Sequence, residues 1–297
     1  MQVLVAGGTG FVGTHLCREL DSRGHDVTAL SRTPGRADLP PAVETAVGDV
    51  AAYDSIEGAF EGQDVVVNLV ALSPLFKPRG GNERHFDVHL GGTRNVVRAA
   101  EAHDVRKLVQ LSALGADPHG ETAYVRAKGQ AETVVRESAL AWTIVRPSVV
   151  FGDGGEFVAF TRTLTTPFVT VLPGGGRTRF QPIWVGDLAR IVADALAPEH
   201  DGMTYEIGGP EVLTLADVAR AVYRAEGKSL AVVPVPMGLA GVGMALADPL
   251  PFVPFGSDQY RSLGFDNTVA ENDVSAFGLD AAALTRLDDY LRESPRR

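Results

Sequence analysis

The first thirteen residues place the strongest constraint on what this chain can fold into. Residues 2–6 are apolar enough for a buried strand, and helical spacing begins at Thr14. Between them a glycine-rich turn permits a tight bend and lets the backbone approach phosphates, while the helix N-terminus offers unpaired N–H groups. A glycine triplet alone is a weak signal, but this strand and helix supply the context of a dinucleotide-binding turn. We predict a pyrophosphate site at Gly7, Gly10, Phe11, Val12 and Gly13.

The end of the second predicted strand indicates which dinucleotide is bound. Proteins that select NAD place an acidic residue there, about 20 residues after the glycines. Here strand 26–30 is followed by Ser31 and Arg32 instead. A guanidinium can hold a 2′-phosphate through two hydrogen bonds, and a serine hydroxyl can add a donor. An ordinary exposed loop arginine is the plainer alternative. We predict a preference for NADP(H), with NAD(H) as the second choice.

Strand and helix signals alternate through the first two thirds of the chain. Strands are predicted at 2–6, 26–30, 43–47, 65–71, 107–112 and 142–146, and helices near 13–23, 54–60, 88–102 and 121–138. This alternation is typical of an α/β fold with a doubly wound parallel sheet. Glycine- and proline-rich segments begin after residue 151. We therefore expect a dinucleotide-binding Rossmann domain at 1–150, rejoined by 181–198, and a smaller capping region at 151–180 and 199–297.

Charge and composition limit the partners. The net charge of −10 argues against nucleic-acid binding. No apolar run reaches transmembrane length, and a single cysteine fits a reducing compartment, so we expect a cytoplasmic protein. The chain holds 23 arginines but only 4 lysines. Such a surface suits solubility in high salt, and GC-rich codon usage produces the same pattern, so both explanations stay open.

Tyr124 and Lys128 form the clearest acid–base pair of the sequence. Four residues apart on a predicted helix, their side chains share one face. An ammonium beside a phenol favours the phenolate, which lets the tyrosine exchange protons nearer neutral pH. His85 and His89 also stand four apart, but no third metal ligand accompanies them. We predict no metal site and expect ordinary surface or cleft residues at both histidines.

Motifs along nearly the whole chain resemble the short-chain dehydrogenase/reductase superfamily, in its extended and atypical branches. The glycine spacing and the Tyr124/Lys128 pair are typical of the superfamily as a whole. A narrower match is carried by residues 67–70, 92–95, 112–116, 146–152, 181–187, 205–210, 250–255, 258–259 and 266–267. These segments are similar to the atypical members related to the NADPH-binding accessory subunit of respiratory complex I.

The resemblance implies roles for particular residues. Tyr124 would act as the acid/base, and Lys128 would also hold the nicotinamide ribose. Asp49 and Val50 would lie beside the adenine, although Gly-Asp is also an ordinary turn. Further cofactor contacts would come from Leu69, Val70, Ala71 and Pro147.

The chain departs from the family pattern at the third catalytic group. Extended members usually place two adjacent hydroxyl residues just after the fifth strand, and the second is catalytic. Ser112 matches the first of these positions and Ala113 the second. The donor to the substrate carbonyl is therefore missing unless Ser112 serves, and such a loss costs a few kcal/mol of transition-state stabilisation.

Three functions are compatible with these residues. The first is an NADP(H)-dependent oxidoreductase of unknown substrate, favoured by the intact Tyr124/Lys128 pair. The second is a non-catalytic NADPH-binding accessory or sensor subunit of a redox complex, peripheral to a membrane, favoured by Ala113 and by the complex I resemblance. The third is a nucleotide-sugar epimerase or dehydratase. The sequence specifies neither the small-molecule substrate nor the oligomeric state.

Overall fold

A seven-stranded sheet is the main element of the first of two structural units. The computed structural model describes residues 1–236, Gly238, 257–262 and 264–293. The first unit contains Met1–Leu72, Pro78–Pro147 and Val185–Glu206, and the second contains Ser73–Lys77, Ser148–Trp184 and Ile207–Arg297. Segment 250–255, one of the motifs on which the resemblance rests, lies outside the described residues.

The sheet has the order β11-β6-β5-β4-β1-β2-β3. In chain order the strands are β1 Gln2–Ala6, β2 Asp26–Ser31, β3 Glu44–Val47, β4 Val65–Asn68, β5 Lys107–Leu111, β6 Ala141–Pro147, β7 Val150–Phe151, β8 Phe168–Pro173, β9 Arg179–Phe180, β10 Ile183–Trp184, β11 Met203–Ile207, β12 Leu213–Thr214 and β13 Leu230–Val235. Strands β1 to β6 pair in parallel throughout. Because β2 and β3 extend from one side of β1 and β4 to β6 from the other, the predicted doubly wound parallel fold is confirmed. In such a sheet ligands bind at the carboxyl ends of the strands, where the order reverses, here between β1 and β4.

Helices alternate with the strands of this sheet in the first unit and continue into the second. They are α1 Phe11–Ser22, α2 Tyr53–Ile56, α3 Glu83–His85, α4 Gly92–Ala102, α5 Ala123–Arg136, α6 Glu156–Leu164, α7 Val185–Asp194, α8 Leu215–Ala225, α9 Ser257–Ser262 and α10 Leu287–Glu293. Of the helices within the described ranges, none combines the length and the hydropathy that a membrane span requires.

The core of the first unit explains why its strands read as continuous apolar runs. Every residue of β4 and β5 is buried, as is each residue of β1 after Gln2. Strands covered by helices on both faces have this pattern, whereas a strand with one solvated face alternates. Leu4, Leu30 and Phe60 belong to one buried cluster of this unit.

Most elements differ from the predicted bounds by a residue or two, and two differ by more. Strand β4 ends at Asn68 instead of residue 71, although the Leu69 N–H still donates to the Ala6 carbonyl at 2.9 Å. The helix predicted at 88–102 begins earlier, at Glu83, and passes through a π-helical segment, Phe86–Gly91, before α4. A π-helical turn closes i→i+5 hydrogen bonds, and such a local change within one or two turns is not resolved by apolar periodicity averaged over a whole helix. Single π-helical turns are frequent at functional sites.

The second unit has small sheets of its own. Strand β7 pairs with β10 and β8 with β13, both in parallel, while β9 pairs with β12 in antiparallel orientation. Phe151, Phe157 and Leu172 are buried together in its core. Its Ser148 hydroxyl lies 2.8 Å from the Asn267 side-chain oxygen, which joins two segments that are far apart in sequence.

Candidate functional site

The glycine turn joins β1 to α1, and its glycines serve different purposes. Gly7 has φ +84°, a backbone conformation that favours glycine. A Cβ on Gly13 would lie 2.2 Å from the Gly7 carbonyl oxygen, so the close packing of the helix start requires a glycine there. At Gly10 the nearest heavy atom to an added Cβ is that same oxygen, at 3.2 Å. The space above Gly10 is therefore open. Gly8, which the sequence did not single out, is confined by Ala29, whose Cβ would lie 2.7 Å from a Cβ added there.

The start of α1 suits an anion. No side chain caps the helix at Gly10, and its first turn contains no acidic residue. The first N–H groups of a helix lack intrahelical acceptors, and the helix dipole adds partial positive charge at this end. Together with the open space above Gly10, this arrangement fits a pyrophosphate group.

Ser31 and Arg32 lie at the end of β2, next to the glycine turn, where the Gly7 N–H donates to the Leu30 carbonyl at 2.9 Å. The Ser31 hydroxyl is buried and has no hydrogen-bond partner among the residues that the structure describes. The Arg32 side chain is exposed and forms no ion pair within that part of the chain. A hydroxyl without a partner, followed in the sequence by an unpaired guanidinium, is consistent with a phosphate ligand at this strand end.

Asp49 and Val50 follow β3. The Asp49 carboxylate accepts from the Ala51 N–H at 3.0 Å, and the Asp49 N–H donates to the Ser55 hydroxyl. These bonds are those of an ordinary turn, so the adenine contact of Asp49 stays a prediction. Val50 is buried, and its carbonyl accepts from Asn95 at 2.8 Å.

The end of β4 lies against the glycine turn. A Cβ on Gly7 would lie 3.3 Å from the Val70 nitrogen. Exposure rises along this segment, because Leu69 is buried, Val70 half-buried and Ala71 exposed. Pro147 ends β6, and its carbonyl accepts from the Leu114 N–H at 3.1 Å. These residues therefore lie at the ends of strands whose carboxyl edge is the ligand-binding edge of the fold.

Tyr124 and Lys128 lie on α5, whose first turn is capped by the Thr122 hydroxyl. The Lys128 ammonium is buried and donates to the Leu111 carbonyl at 2.9 Å, at the end of β5. Burial lowers the pKa of Lys128 to about 8, against the opposing effect of Glu132. Burial also raises the pKa of Tyr124, the opposite direction from the lowering expected beside an ammonium. Burial therefore favours the neutral phenol of Tyr124 at neutral pH.

The rings of two histidines pack against the ring of Tyr124. The rings of His85 and His89 lie 5.5 Å and 5.3 Å from the Tyr124 ring, both nearly perpendicular to it. Each histidine is only 2% exposed, so neither is an ordinary surface residue. The only sequence signal for this cluster was the i, i+4 spacing of the two histidines, because Tyr124 belongs to a different helix.

The Ser112 hydroxyl is bonded to Glu132. Its Oγ donates to Glu132 Oε1 at 2.5 Å, and Glu132 also accepts from Arg146 at 2.7 Å and from Arg136 at 2.9 Å. A hydroxyl proton given to Glu132 is not available to a substrate oxygen at the same time, and Ala113 has no polar side chain. The role of Ser112 as a catalytic donor stays a prediction. The buried network of Glu132 and Arg146 was missed in the sequence, because it joins β5, α5 and β6.

Comparison with known proteins also indicates a nicotinamide dinucleotide-binding fold. Residues 7–197 match a family model described as NAD(P)H-binding. The chain is 28% identical over 298 residues to the mitochondrial NADH dehydrogenase (ubiquinone) 1 alpha subcomplex subunit 9 of Arabidopsis thaliana, covering 93% of this chain and 73% of that protein. It is 27% identical over 257 residues to the NAD(P)H azoreductase of Xenophilus azovorans, covering 83% and 84%. The solved UDP-glucose 4-epimerase of Thermus thermophilus, a complex with NAD, shares the fold with a TM-score of 0.68 at 24% identity, over 99% and 100% of the two chains.

Proposed function

Because this chain belongs to the NAD(P)H-binding family, as an atypical member of the short-chain dehydrogenase/reductase superfamily, we propose that it is an NADP(H)-dependent oxidoreductase. The observation that carries this proposal is that Tyr124, half-buried against two histidine rings, lies one helical turn from the buried Lys128 ammonium. A reductase needs a proton donor where hydride arrives, and a neutral phenol is in the right protonation state at pH 7.

The proposed reaction divides between cofactor and protein. NADPH supplies a hydride to the carbon of a carbonyl-type substrate. Tyr124 gives its hydroxyl proton to the substrate oxygen, and Lys128 binds the nicotinamide ribose while its positive charge favours the phenolate that remains. Ser112 keeps Glu132 as its acceptor and takes no part in this scheme.

The proposed cofactor contacts use the chain from Gly7 to Pro147. Gly7, Gly10, Phe11, Val12 and Gly13 hold the pyrophosphate, and Ser31 and Arg32 bind the 2′-phosphate, which makes NADP(H) the preferred cofactor over NAD(H). The remaining contacts are proposed at Asp49, Val50, Leu69, Val70, Ala71 and Pro147.

The experiment compares Tyr124→Phe with wild type, with NADPH oxidation followed on a panel of small ketones, quinones and azo dyes. We expect turnover to fall by about 100-fold or more, because general acid catalysis contributes at least that factor. NADPH affinity should stay nearly unchanged, since the hydroxyl acts only on the reacting oxygen. Lys128→Ala should impair both turnover and affinity.

Equal turnover in wild type and Tyr124→Phe would refute Tyr124 as the acid. Absence of NADPH oxidation above background across the panel would instead favour a second function, a non-catalytic NADPH-binding subunit of a redox complex that associates with a membrane from outside. The engaged hydroxyl of Ser112 and the similarity to a subunit of NADH dehydrogenase support this alternative. In that case only the lysine variant should change cofactor affinity. Epimerase chemistry rests on the shared fold alone.

A further inference from the structure

We propose that Asn95 and Arg98 of α4 are positioning residues for the cofactor, because they hold the turn after β3 in the conformation that recognises an adenine base. This inference rests on the proposed function, in which Asp49 and Val50 of that turn contact the adenine. Neither Asn95 nor Arg98 is assigned a contact with the cofactor itself. Both act through the turn, which lies in the same structural unit as α4.

The turn after β3 leaves one acceptor and one donor unused on consecutive residues. Asp49 Oδ1 accepts from the Ala51 N–H, and Asp49 Oδ2 has no hydrogen-bond partner among the described residues. The Val50 N–H likewise has no acceptor within that part of the chain, although Val50 is buried. Adenine presents an amino donor beside a ring-nitrogen acceptor on one edge. A carboxylate oxygen next to an N–H group complements this edge, provided that the turn holds both in place.

Asn95 fixes the backbone of Val50. Its Nδ2 donates to the Val50 carbonyl at 2.8 Å, although the two residues are 45 positions apart in the sequence. Gly92 lies one turn earlier on the same face of α4, and a Cβ there would lie 2.7 Å from Val50 Cγ2. The helix therefore approaches closely at Gly92 and binds the carbonyl through Asn95. Anchoring the carbonyl limits rotation about the Val50 backbone, and with it the direction of the N–H group.

Arg98 holds the residue that follows the turn. Its guanidinium carbon lies 3.8 Å from the centre of the ring of Tyr53, the first residue of α2. A guanidinium over an aromatic face is attracted to it electrostatically. Just after α4, His103 donates to the Glu57 carboxylate at 2.7 Å. Contacts along the whole length of α4 therefore hold residues 50–57, so the turn cannot shift independently of this helix.

The test compares NADPH with reduced nicotinamide hypoxanthine dinucleotide phosphate. In hypoxanthine a carbonyl oxygen replaces the amino group and the neighbouring ring nitrogen carries a hydrogen. Donor and acceptor are thus exchanged on the edge that faces the turn, while the phosphates, the riboses and the nicotinamide are unchanged. Calorimetric titration of the full chain measures both affinities without any substrate. We expect wild type to prefer NADPH by about tenfold or more, because a polar site rejects an analogue that leaves its groups unpaired.

Three variants show whether α4 sets this preference. Asn95→Asp keeps the shape of the side chain but loses the Nδ2 donor, and it should lower the preference by about fivefold. Arg98→Met keeps an unbranched side chain but removes the guanidinium, and it should lower the preference by about two- to fivefold. Arg94→Met is the matched control, because Arg94 is also exposed on α4 and forms no ion pair among the described residues. The ratio of affinities is the readout because a variant that is only less stable binds both dinucleotides less tightly by the same factor.

The outcomes separate this inference from the proposed function. A preference that falls in Asn95→Asp and Arg98→Met but not in Arg94→Met supports the inference even if no substrate is ever turned over, and then only the oxidoreductase proposal fails. Equal ratios in wild type and all three variants would overturn the inference even in an active enzyme. A wild type that binds both dinucleotides equally well would overturn it too. Should Asn95→Asp fail to fold, Arg98→Met decides, because that side chain is exposed.

Discussion

Arg32 and Lys128 carry the same charge in opposite surroundings. Arg32 is exposed and has no ion-pair partner among the described residues, while Lys128 is 2% exposed and bonded to the Leu111 carbonyl. An exposed guanidinium loses little hydration when it binds a phosphate, and it can be removed without disturbing the core. Arg32 is therefore suited to distinguish between cofactors, whereas Lys128 is part of the buried structure of the site.

The first prediction at this scale concerns cofactor choice. Wild-type protein should bind NADPH at least tenfold more tightly than NADH, and Arg32→Ala should weaken NADPH binding by about 10- to 100-fold, since a charge-assisted contact contributes roughly 1.5–3 kcal/mol. NADH affinity should barely change, because NADH lacks the 2′-phosphate. Calorimetric titration of both cofactors measures this. The NADPH affinity of Arg32→Lys, which keeps the charge but loses the planar guanidinium, should lie between those of wild type and Arg32→Ala. Equal affinities of wild type for NADPH and NADH would contradict the assignment.

At the scale of elements, the sequence predicted motifs that lie within one short stretch of chain. It did not predict side-chain contacts between elements that are far apart in the sequence. The β1–turn–α1 unit and the Tyr124/Lys128 pair could be predicted because each depends on spacing within one short stretch. The contact of His89 with Tyr124 could not, since it depends on a π-helical insertion and on how two helices meet. The Ser112–Glu132 bond likewise depends on how β5 and α5 pack, which no periodicity records.

The prediction at this scale separates two glycines of one turn. Gly10 has φ −78°, which any residue adopts, and an added Cβ there has only the Gly7 oxygen within 4 Å, so Gly10→Val should fold but lose cofactor binding. Gly13→Ala should instead reduce the free energy of unfolding by about 1–3 kcal/mol, because its Cβ would overlap backbone atoms.

Urea denaturation and NADPH titration of both variants distinguish these effects. A folded Gly10→Val protein that retains wild-type NADPH affinity would remove the pyrophosphate site from the glycine turn. A Gly13→Ala protein as stable as wild type would show that the turn relaxes more easily than its contacts indicate.

For the molecule as a whole, a few buried charges matter more to stability than the net charge of −10. Glu132 is 1% exposed, but Arg146 and Arg136 neutralise it through direct hydrogen bonds. The hydrogen bond of Lys128 goes to a neutral carbonyl, so its charge is less well compensated. Burying a charge without a bonded counter-ion opposes folding, and this cost varies with pH because the lysine can lose its proton.

The last prediction follows from this dependence on pH. The pKa of Lys128 is about 8 in the folded protein and about 10.4 for a lysine in the unfolded chain. Below about pH 8 the side chain is charged in both states, and the full burial cost lowers the free energy of unfolding. Between about pH 8 and 10.4 the unfolded chain binds more protons, so the contribution of Lys128 to the free energy of unfolding increases with pH, by at most about 3 kcal/mol.

Lys128→Met lacks this titration, so the free energy of unfolding of wild type minus that of the variant should increase from roughly pH 7 to pH 10, as measured by urea denaturation at each pH. The comparison with a variant is needed because the raised pKa of Tyr124 acts in the opposite direction, destabilising both proteins as pH passes about 10. Lys228→Met, which removes an exposed lysine, controls for the loss of one positive charge. A wild-type-minus-variant difference that stays constant or falls with pH would show that the Lys128 ammonium is better compensated than its bond to Leu111 implies.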